Sequence, residues 1–190
     1  MPEFFSSSTT SKPLSISHPS PQTHQKPNMS ETEYKKVLRL AGSYYKLPEV
    51  SEEDFHAFIS SDHAVKAAKI HEKYGILHYQ LAIGSSQTRE LAYGLKLPWK
   101  IDDHDVTIEY YFTDVSALLA VSADEEFKAL HVDAEKFVRL DATTVAVTWV
   151  EVFLKDGKLV NIGPDGKSQH PPFAERIDFA LPDKPAAKYY

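Results

Sequence analysis

The sequence predicts an α+β fold in which one antiparallel four-stranded sheet carries its helices on one face. Two observations predict this class. Segments with strand periodicity alternate along the chain with segments of helical periodicity, and the strand segments are short and rich in β-branched and aromatic residues. A hydrophobic content of 42%, with 12% aromatic residues, is sufficient for a packed core. The 190 residues allow one domain of ordinary size with its tails.

The first half of the predicted domain is strand, helix, strand. Residues 36–45 alternate apolar and polar side chains, as a strand does. Ser51 then begins a sequence typical of a capped helix start, and apolar residues recur at helical spacing up to Lys73. Gly75 is a suitable residue to end that helix. Residues 76–83 form the second predicted strand.

The second half adds two further strands and three helices. We predict a short helix over residues 88–95, a strand over 105–112, helices over 115–121 and 125–137, and a strand over 143–153 that a Lys155–Lys158 turn closes. The resulting order, βαβ(α)βααβ, is that of a ferredoxin-like split βαβ fold, with helices on one face of the sheet.

The sheet face away from the helices also needs a cover. In the third and fourth strands both alternating sets of positions contain apolar residues, such as Val106 and Tyr110 on one set and Val150 and Val152 on the other. A sheet with one face in water does not tolerate this pattern. We therefore predict a homodimer in which a second copy covers this face and encloses a cavity for a small molecule.

The two ends of the chain differ from the domain in composition. Residues 1–28 contain five prolines and seven serines and no glycine, so we predict a disordered N-terminal tail. The predicted domain spans residues 34–160. Residues 161–190, rich in proline, glycine and charge, are predicted to form an irregular C-terminal extension.

Composition excludes several classes of function. A net charge of −6 argues against a nucleic-acid partner, and no apolar run approaches the roughly 20 residues of a membrane span. The chain has no cysteine, which suits a reducing compartment, so we expect a cytoplasmic protein. No Gly-rich phosphate loop or nucleophile elbow is present, and His56, His63 and His71 are too far apart along one helix to hold one ion. We expect neither a metal nor an organic cofactor.

Several stretches together resemble the EthD family of dimeric α+β barrel proteins, and most closely its fungal branch found with aromatic polyketide pathways. The resemblance extends from about Tyr34 to Val160, and it rests on Glu53–His56, Asp62–His63, Tyr74–Tyr79, Asp105–Tyr111, Val147–Val152 and Lys155–Lys158. It implies a homodimer with a pocket in each barrel, and decarboxylation or dehydration of a polyketide intermediate without metal or organic cofactor. The family often has Gly-Pro after the helix histidine, whereas Ala64 and Val65 follow here and would continue the helix.

Four residues are the catalytic candidates. His63 matches the family's helix histidine and would carry a proton, the alternative being a cap or a solvent contact. Glu109 and Tyr111 share one strand face, where desolvation would disfavour the charged carboxylate and suit it to acid–base work. The alternative for Glu109 is a salt bridge with Arg39. His78 is the fourth candidate, with a satisfied core or interface histidine as its alternative.

A second set of residues is predicted to bind the substrate. Asp62 would lie beside His63, although adjacent helix positions point in different directions. Trp149 and Phe153 are candidates for the pocket wall or the core, and Tyr79 for a substrate contact. His131 would cover the mouth of the cavity, with a surface position as its alternative.

The predicted chemistry is acid–base catalysis on a bound aromatic or polyketone substrate. Polyketide β-keto acids and β-hydroxy ketones lose carbon dioxide or water through an enolate, which requires a proton carrier, a group that holds the oxyanion and a dry pocket. Cyclisation by aldol chemistry or cofactor-free monooxygenation of a phenol would use the same features. A non-catalytic module that binds a hydrophobic small molecule, or a stress-type barrel protein without a dedicated substrate, is the alternative from another class.

Overall fold

The computed structural model describes residues 36–175, and these form a four-stranded antiparallel sheet with its helices on one face. The spatial order of the strands is β2-β3-β1-β4, as in a ferredoxin-like fold. This confirms the predicted α+β class. The strands are β1 (Leu38–Lys46), β2 (His78–Ile83), β3 (Val106–Phe112) and β4 (Val138–Trp149).

Alternation along each strand divides the sheet into a helix face and an outer face. Leu38 pairs with both Phe112 and Trp149, and Tyr79 pairs with Tyr110, so the even-numbered positions of β1 and β3 lie on the helix face. The core residues of the sheet are on this face: Leu38, Val106, Ile108, Tyr110, Phe112 and Val138. Arg39, Glu109 and Gln80 lie on the outer face: Gln80 pairs with Glu109, and Arg39 pairs with Tyr111, two residues further along β3.

The first helical region runs without a break from Glu52 to Lys73, as the Ala64-Val65 sequence predicted. It consists of α1 (Glu52–His56), a π-helical stretch (Ala57–His63) and α2 (Ala64–Lys73). The remaining helices are α3 (Ser86–Gly94), α4 (Val115–Ala123) and α5 (Glu125–Ala134). The Ser51 hydroxyl accepts a hydrogen bond from the backbone N–H of Asp54, which confirms the predicted N-cap.

The π-helical stretch keeps one line of residues against the sheet. Phe55, Ile59, His63, Ala67 and His71, spaced by four, are all buried. In a regular α-helix with 3.6 residues per turn, this spacing would drift around the helix. The Ala64 N–H instead donates to the Ile59 carbonyl, five residues back, and this wider turn compensates for the drift. The apolar spacing predicted a regular helix here, without a π-helical stretch.

The fourth strand differs from the predicted range of residues 143–153. It begins earlier, because Val138 pairs with Lys46 at the far end of β1, and a register shift between Ser43 and Tyr45 allows the added length. It ends at Trp149, because its partner strand begins at Leu38. The Lys155–Lys158 turn was predicted correctly: a small hairpin of β5 (Leu154–Lys155) and β6 (Lys158–Leu159) turns through Asp156 and Gly157, which have φ values of 49° and 74°.

The expectation that both faces of the sheet are apolar is wrong. Small and polar residues occupy the outer face: Arg39, Ala41, Ser43, His78, Gln80, Ala82, Thr107, Glu109, Tyr111, Thr144, Ala146 and Thr148. Val150 and Val152, which suggested an apolar second face, lie beyond the end of β4 and outside the sheet. Any cover on this face would therefore meet a mixed surface.

The predicted boundaries of the domain stay predictions. The N-terminal tail predicted for residues 1–28 lies outside the described residues, as does the C-terminal extension after Glu175. Between residues 161 and 175 the chain has a single bridge, Ile162 with Ser168, and a short 3₁₀ turn, Phe173–Glu175. Over residues 36–175, no helix has both the length and the apolar character needed to cross a membrane.

Candidate functional site

A group of histidines and tyrosines lies where the first helical region packs on the helix face of the sheet, with the exposed His131 of α5 beside it. We call it the histidine–tyrosine cluster: His63, His71, His131, Tyr44, Tyr79 and Tyr110. The buried line of the π-helical stretch and α2 turns His63 and His71 toward the sheet, and their exposed fractions are only 6% and 2%. Tyr79 and Tyr110 are cross-strand neighbours on the helix face of β2 and β3.

Aromatic rings surround His71. Its ring centroid lies 4.7 Å from that of Tyr79, 4.8 Å from that of Tyr110 and 5.5 Å from that of Phe127. The ring centroid of His63 lies 5.6 Å from that of Phe58. The Phe58 ring in turn stacks on the Phe137 ring, with the two centroids 4.0 Å apart. The two helix histidines are therefore held by aromatic contacts rather than by charged groups.

Four buried polar atoms of this cluster have no hydrogen-bond partner among the described residues. They are Nδ1 of His63, both ring nitrogens of His71, and the hydroxyl oxygen of Tyr79. Over residues 36–175, one other buried side-chain atom, Oδ1 of Asn161, has no hydrogen-bond partner. Buried polar atoms in proteins usually have a hydrogen-bond partner, either in the protein or in a bound molecule, so this concentration of four marks the cluster as a candidate binding site.

Burial fixes the charge states of the cluster. It lowers the pKa of His63 to about 4, with the nearby His131 as a smaller cause, and it lowers the pKa of His71 to about 4 in the same way. Burial also raises the pKa values of Tyr44, Tyr79 and Tyr110 above the ordinary tyrosine value. At neutral pH the two helix histidines are therefore neutral, with a free lone pair each, and the tyrosines keep their protons.

Asp62 does not contact His63. Its carboxylate is exposed and forms an ion pair with Lys66 on the next turn, at 2.7 Å. Its charge acts to raise the pKa of His63, but burial outweighs that effect. Asp62 therefore lies on the exposed side of the helix, away from His63, and the predicted substrate contact of Asp62 stays a prediction.

A second polar network lies on the outer face of the sheet, around Glu109. This carboxylate accepts hydrogen bonds from Arg39, Gln80 and the Tyr111 hydroxyl, the last at 3.0 Å. The predicted alternative, a salt bridge between Glu109 and Arg39, is thus confirmed.

Desolvation was expected to disfavour the charged form of Glu109, but its pKa is lowered instead. Burial does raise its pKa, but the three hydrogen bonds and the Arg39 charge together lower the pKa below the ordinary glutamate value. Glu109 is therefore ionised and fully engaged at neutral pH.

His78 belongs to the network around Glu109. It is exposed at the start of β2, its Nε2 lies 2.9 Å from Oε1 of Gln80, and its ring contacts that of Tyr111 at 5.3 Å. Its sequence suggested a position in the middle of an apolar strand, whereas His78 is the first residue of β2 and is exposed. His78, Glu109 and Tyr111 thus come together, but the sheet separates them from His63, so one substrate molecule cannot contact both groups in one chain.

The remaining predicted residues lie apart. Trp149 is half-buried and packs against the core at the end of β4. Phe153 is beyond β4, 40% exposed, with its ring 5.1 Å from that of His170. His131 is exposed on α5, which is the surface position given as its alternative. Its ring centroid lies 4.5 Å from that of Phe127, and His131 acts to lower the pKa of His63. Of the predicted substrate contacts, Tyr79 and His131 join the cluster that contains His63.

Sequence reasoning missed His71, Tyr44 and Tyr110 as members of the site. The signal for His71 was present, since Phe55, Ile59, His63 and His71 share a spacing that is a multiple of four. Regular helical periodicity assigns them to different faces, and only the π-helical stretch brings them onto one. His56, which was considered together with them, is exposed.

Two other polar features lie elsewhere on the described surface. Asp102, Asp103 and His104 are the group there whose ligand atoms are close enough for a metal ion, and they are largely engaged with one another and with the Tyr45 hydroxyl. An open groove of about 330 Å³ lies beside the start of α3, where Arg89 bridges Glu52 and Asp105. The groove borders the histidine–tyrosine cluster through Asp105, whose backbone N–H donates to the Tyr44 carbonyl at 2.9 Å.

Comparison with known proteins gives a consistent set of similarities. The EthD domain model matches residues 47–141. A protein of Aspergillus terreus named "Putative oxygenase" is 31% identical over 75% of this chain and 91% of its own length. The conidial pigment biosynthesis dehydratase EthD of Metarhizium robertsii is 27% identical, over 67% of this chain and 92% of its own. A decarboxylase of Aspergillus novofumigatus is also 27% identical, over 73% of this chain and 95% of its own.

Proposed function

This chain belongs to the EthD domain family, and we propose that it is a lyase that decarboxylates or dehydrates an aromatic polyketide intermediate by acid–base chemistry of its own side chains. The names of the Metarhizium and Aspergillus novofumigatus relatives support both reaction types. Fungal secondary metabolism is the proposed context.

One observation carries the proposal: His63 is a buried, neutral histidine whose Nδ1 has no partner among the described residues. A ring protonated on Nε2 presents its lone pair at Nδ1, ready to accept a proton from a bound substrate. The aromatic rings beside it, Phe58 among them, keep the surroundings apolar. Such an environment strengthens electrostatic interactions with a developing charge.

The proton balance needs only this histidine. In dehydration, Nδ1 of His63 accepts the proton on the carbon between carbonyl and hydroxyl-bearing carbon, and the electron pair forms an enolate. The enolate then expels the hydroxyl group, which leaves as water with the proton from the imidazolium. In decarboxylation, Nδ1 of His63 first accepts the proton of the substrate's carboxylic acid group. The carbon–carbon bond to the resulting carboxylate then breaks, its electron pair forms the enolate as carbon dioxide leaves, and protonated His63 returns the same proton to carbon.

A negatively charged substrate would raise the pKa of His63 toward neutral pH, where the side chain can both accept and donate a proton. A pKa of about 4 makes the free side chain a weak base. A substrate carboxylate or a developing enolate beside the ring would stabilise the imidazolium and raise that pKa toward neutrality. The histidine is therefore neutral by itself at neutral pH, and the charge of the substrate promotes the proton transfer.

The test is turnover of a polyketide β-keto acid or β-hydroxy ketone by the full chain, with product followed by chromatography. We expect His63→Ala to lower turnover about 10²–10⁴-fold, which is the usual worth of a positioned acid–base group. His63→Asn keeps hydrogen-bonding capacity but cannot titrate, and it should be equally impaired. His56→Ala, at an exposed position of the same helical region, is the matched control. Full activity in both His63 variants would refute the assignment.

A cofactor-free monooxygenase is the second candidate, because the relative at 31% identity carries an oxygenase name. The monooxygenase would require dioxygen as co-reactant and an electron-rich phenol as substrate. Cyclisation of a polyketide is a further reaction on the same class of substrate. Turnover that stops under anaerobic conditions would favour the oxygenase over the lyase. Binding of substrate without any reaction would instead favour a non-catalytic small-molecule-binding module.

We also infer that the protein works as a homodimer. The outer face has no helix over it among residues 36–175, yet it holds the half-buried ion pair of Arg39 and Glu109. A second copy of the same face would shield it by symmetry and would complete a dimeric α+β barrel.

The cytoplasm is the proposed compartment, since a chain without cysteine requires no oxidising environment.

A further inference from the structure

His71 is a buried histidine that the proposed reaction does not use. It is 98% buried, between α2 and the sheet, and neither of its ring nitrogens has a partner among the described residues. A neutral imidazole always has one N–H donor and one lone-pair acceptor. Neither the donor nor the acceptor of His71 has a partner among residues 36–175.

Tyr79 lies beside His71 and likewise has a buried polar atom without a hydrogen-bond partner among the described residues. The two ring centroids are 4.7 Å apart, and the Tyr79 hydroxyl is buried without a partner among the described residues. A tyrosine hydroxyl donates one hydrogen bond and accepts another. Two adjacent side chains thus offer both donors and acceptors at one position on the helix face.

The three buried carboxylates of residues 36–175, unlike these two neutral side chains, all accept hydrogen bonds. Asp124 accepts from Lys73, from Tyr74 and from two backbone N–H groups, and Asp105 accepts from the Lys46 N–H and from Arg89. Glu109 has three donors. Unpartnered groups are concentrated where the proposed reaction takes place, which is typical of a site that binds a polar ligand.

We infer that His71 and Tyr79 form a binding subsite for a phenolic or enolic hydroxyl group of the substrate. The substrate hydroxyl donates to one of these side chains and accepts from the other, while its aromatic ring lies among Tyr110, Phe127 and their neighbours. The inference rests on the proposed function for the site itself. It adds a requirement: a substrate without a hydroxyl at this position binds more weakly.

The experiment compares two naphthalene probes on the full chain by fluorescence or calorimetric titration. 2-Naphthol has a phenolic hydroxyl, and 2-methylnaphthalene has a methyl group of similar size in its place. We expect 2-naphthol to bind at least about 10-fold more tightly, which corresponds to one or two hydrogen bonds to otherwise unpaired buried groups. Equal affinities, or no binding of either probe up to about 1 mM, would overturn the inference.

Three variants locate the preference. Tyr79→Phe removes a single oxygen atom, and His71→Phe replaces one aromatic ring by another. Both should abolish the preference for 2-naphthol, and both should leave the melting temperature unchanged or higher because an unsatisfied polar group is gone. His56→Gln, at an exposed position, should retain the preference. A folded Tyr79→Phe variant that still prefers 2-naphthol contradicts the inference even if His71→Phe does not fold.

The outcomes separate this inference from the proposed function. Loss of turnover in the His63 variants together with an unchanged probe preference in Tyr79→Phe would support the lyase and refute the subsite. A probe preference that depends on Tyr79, in a protein without lyase turnover, would support the subsite and refute the lyase. If the unpaired atoms bind ordered water alone, the two probes will bind equally, which refutes the subsite.

Discussion

His63 and Glu109 show how the surroundings of a side chain decide its chemistry. His63 lies among aromatic rings, so burial lowers its pKa and leaves it neutral with a lone pair. Glu109 is equally buried, at 8% exposure, but three donors stabilise its charge and lower its pKa. An acid–base group must be able to gain and lose a proton near working pH, and the engaged carboxylate is poorly placed for that.

We predict that Glu109→Gln is a stability variant rather than an activity variant. Glutamine cannot pair with the Arg39 charge and cannot accept from three donors at once, so Arg39 is left part-buried without its partner. The free energy of unfolding should fall by about 1–3 kcal/mol in chemical denaturation. Turnover measured well below the melting temperature should change less than about 10-fold.

Glu90→Gln provides the matched control, because Glu90 is an exposed carboxylate on α3. It should change neither stability nor turnover. A loss of turnover of about 10² or more in Glu109→Gln, with stability intact, would move the chemistry to the outer face and to the network of Glu109, Tyr111 and His78.

At the scale of the element, the π-helical stretch determines which histidines reach the sheet. Without the wider turn, residues spaced by four would rotate away from the core within two turns. With it, Phe55, Ile59, His63 and His71 form one buried line. The same feature places two titratable groups in the interior, which makes the stability of this helical region dependent on pH.

We predict that the protein loses stability as pH falls from about 6.5 to about 4 because of His63 and His71. Their pKa values are about 4 in the folded chain and near 6.5 when exposed, so below pH 6.5 the unfolded chain binds protons that the folded chain does not. The stabilising contribution of the neutral pair is complete above pH 6.5 and is lost as pH falls toward 4. Chemical denaturation at pH 7, 6, 5 and 4 measures this slope.

A variant that lacks both groups isolates their effect from that of the carboxylates, which also titrate on acidification. The double variant His63→Asn with His71→Phe should show a shallower loss of unfolding free energy between pH 6.5 and 4 than the parent. His56→Asn, at an exposed position, should follow the parent. Parallel slopes in the parent and the double variant would show that the helix histidines are not buried in the neutral form.

At the scale of the whole molecule, the outer face of the sheet is the surface that a second copy would cover. Its middle holds the Arg39–Glu109 pair and the contact of Ser43 with Thr107, with Ala41 and Ala146 between them. Small side chains permit close approach of another sheet. The functional cluster is on the opposite face, so the proposed dimer and the proposed reaction use different surfaces of one chain.

We predict a dimeric mass in light scattering at micromolar concentration, since stable homodimers often bury about 2,000 Å² or more. Ala146→Asp places a charge on the outer face of β4 and should shift the protein to a monomer. Val145→Asp, the neighbouring residue, is an exposed position on the helix face of the same strand and should leave the mass unchanged. A folded parent protein with monomeric mass would contradict the barrel.

The sequence by itself determined the strands, the helices and their order, because hydrophobic periodicity, the Ser51 cap and the turn at Asp156 and Gly157 are local signals. It also indicated His63 and Tyr79, and it gave the Arg39–Glu109 salt bridge as an alternative. Local signals could not decide which side chains share a face or a network.

Only the tertiary structure decided the composition of the site. The π-helical stretch brings His71 beside Tyr79, the end of β1 stops β4 at Trp149, and the sheet separates His63 from Glu109. Each of these depends on contacts between residues far apart in the chain. The pKa of a buried group depends on those same neighbours, which is why burial lowers the pKa of His63 whereas hydrogen bonds lower that of Glu109.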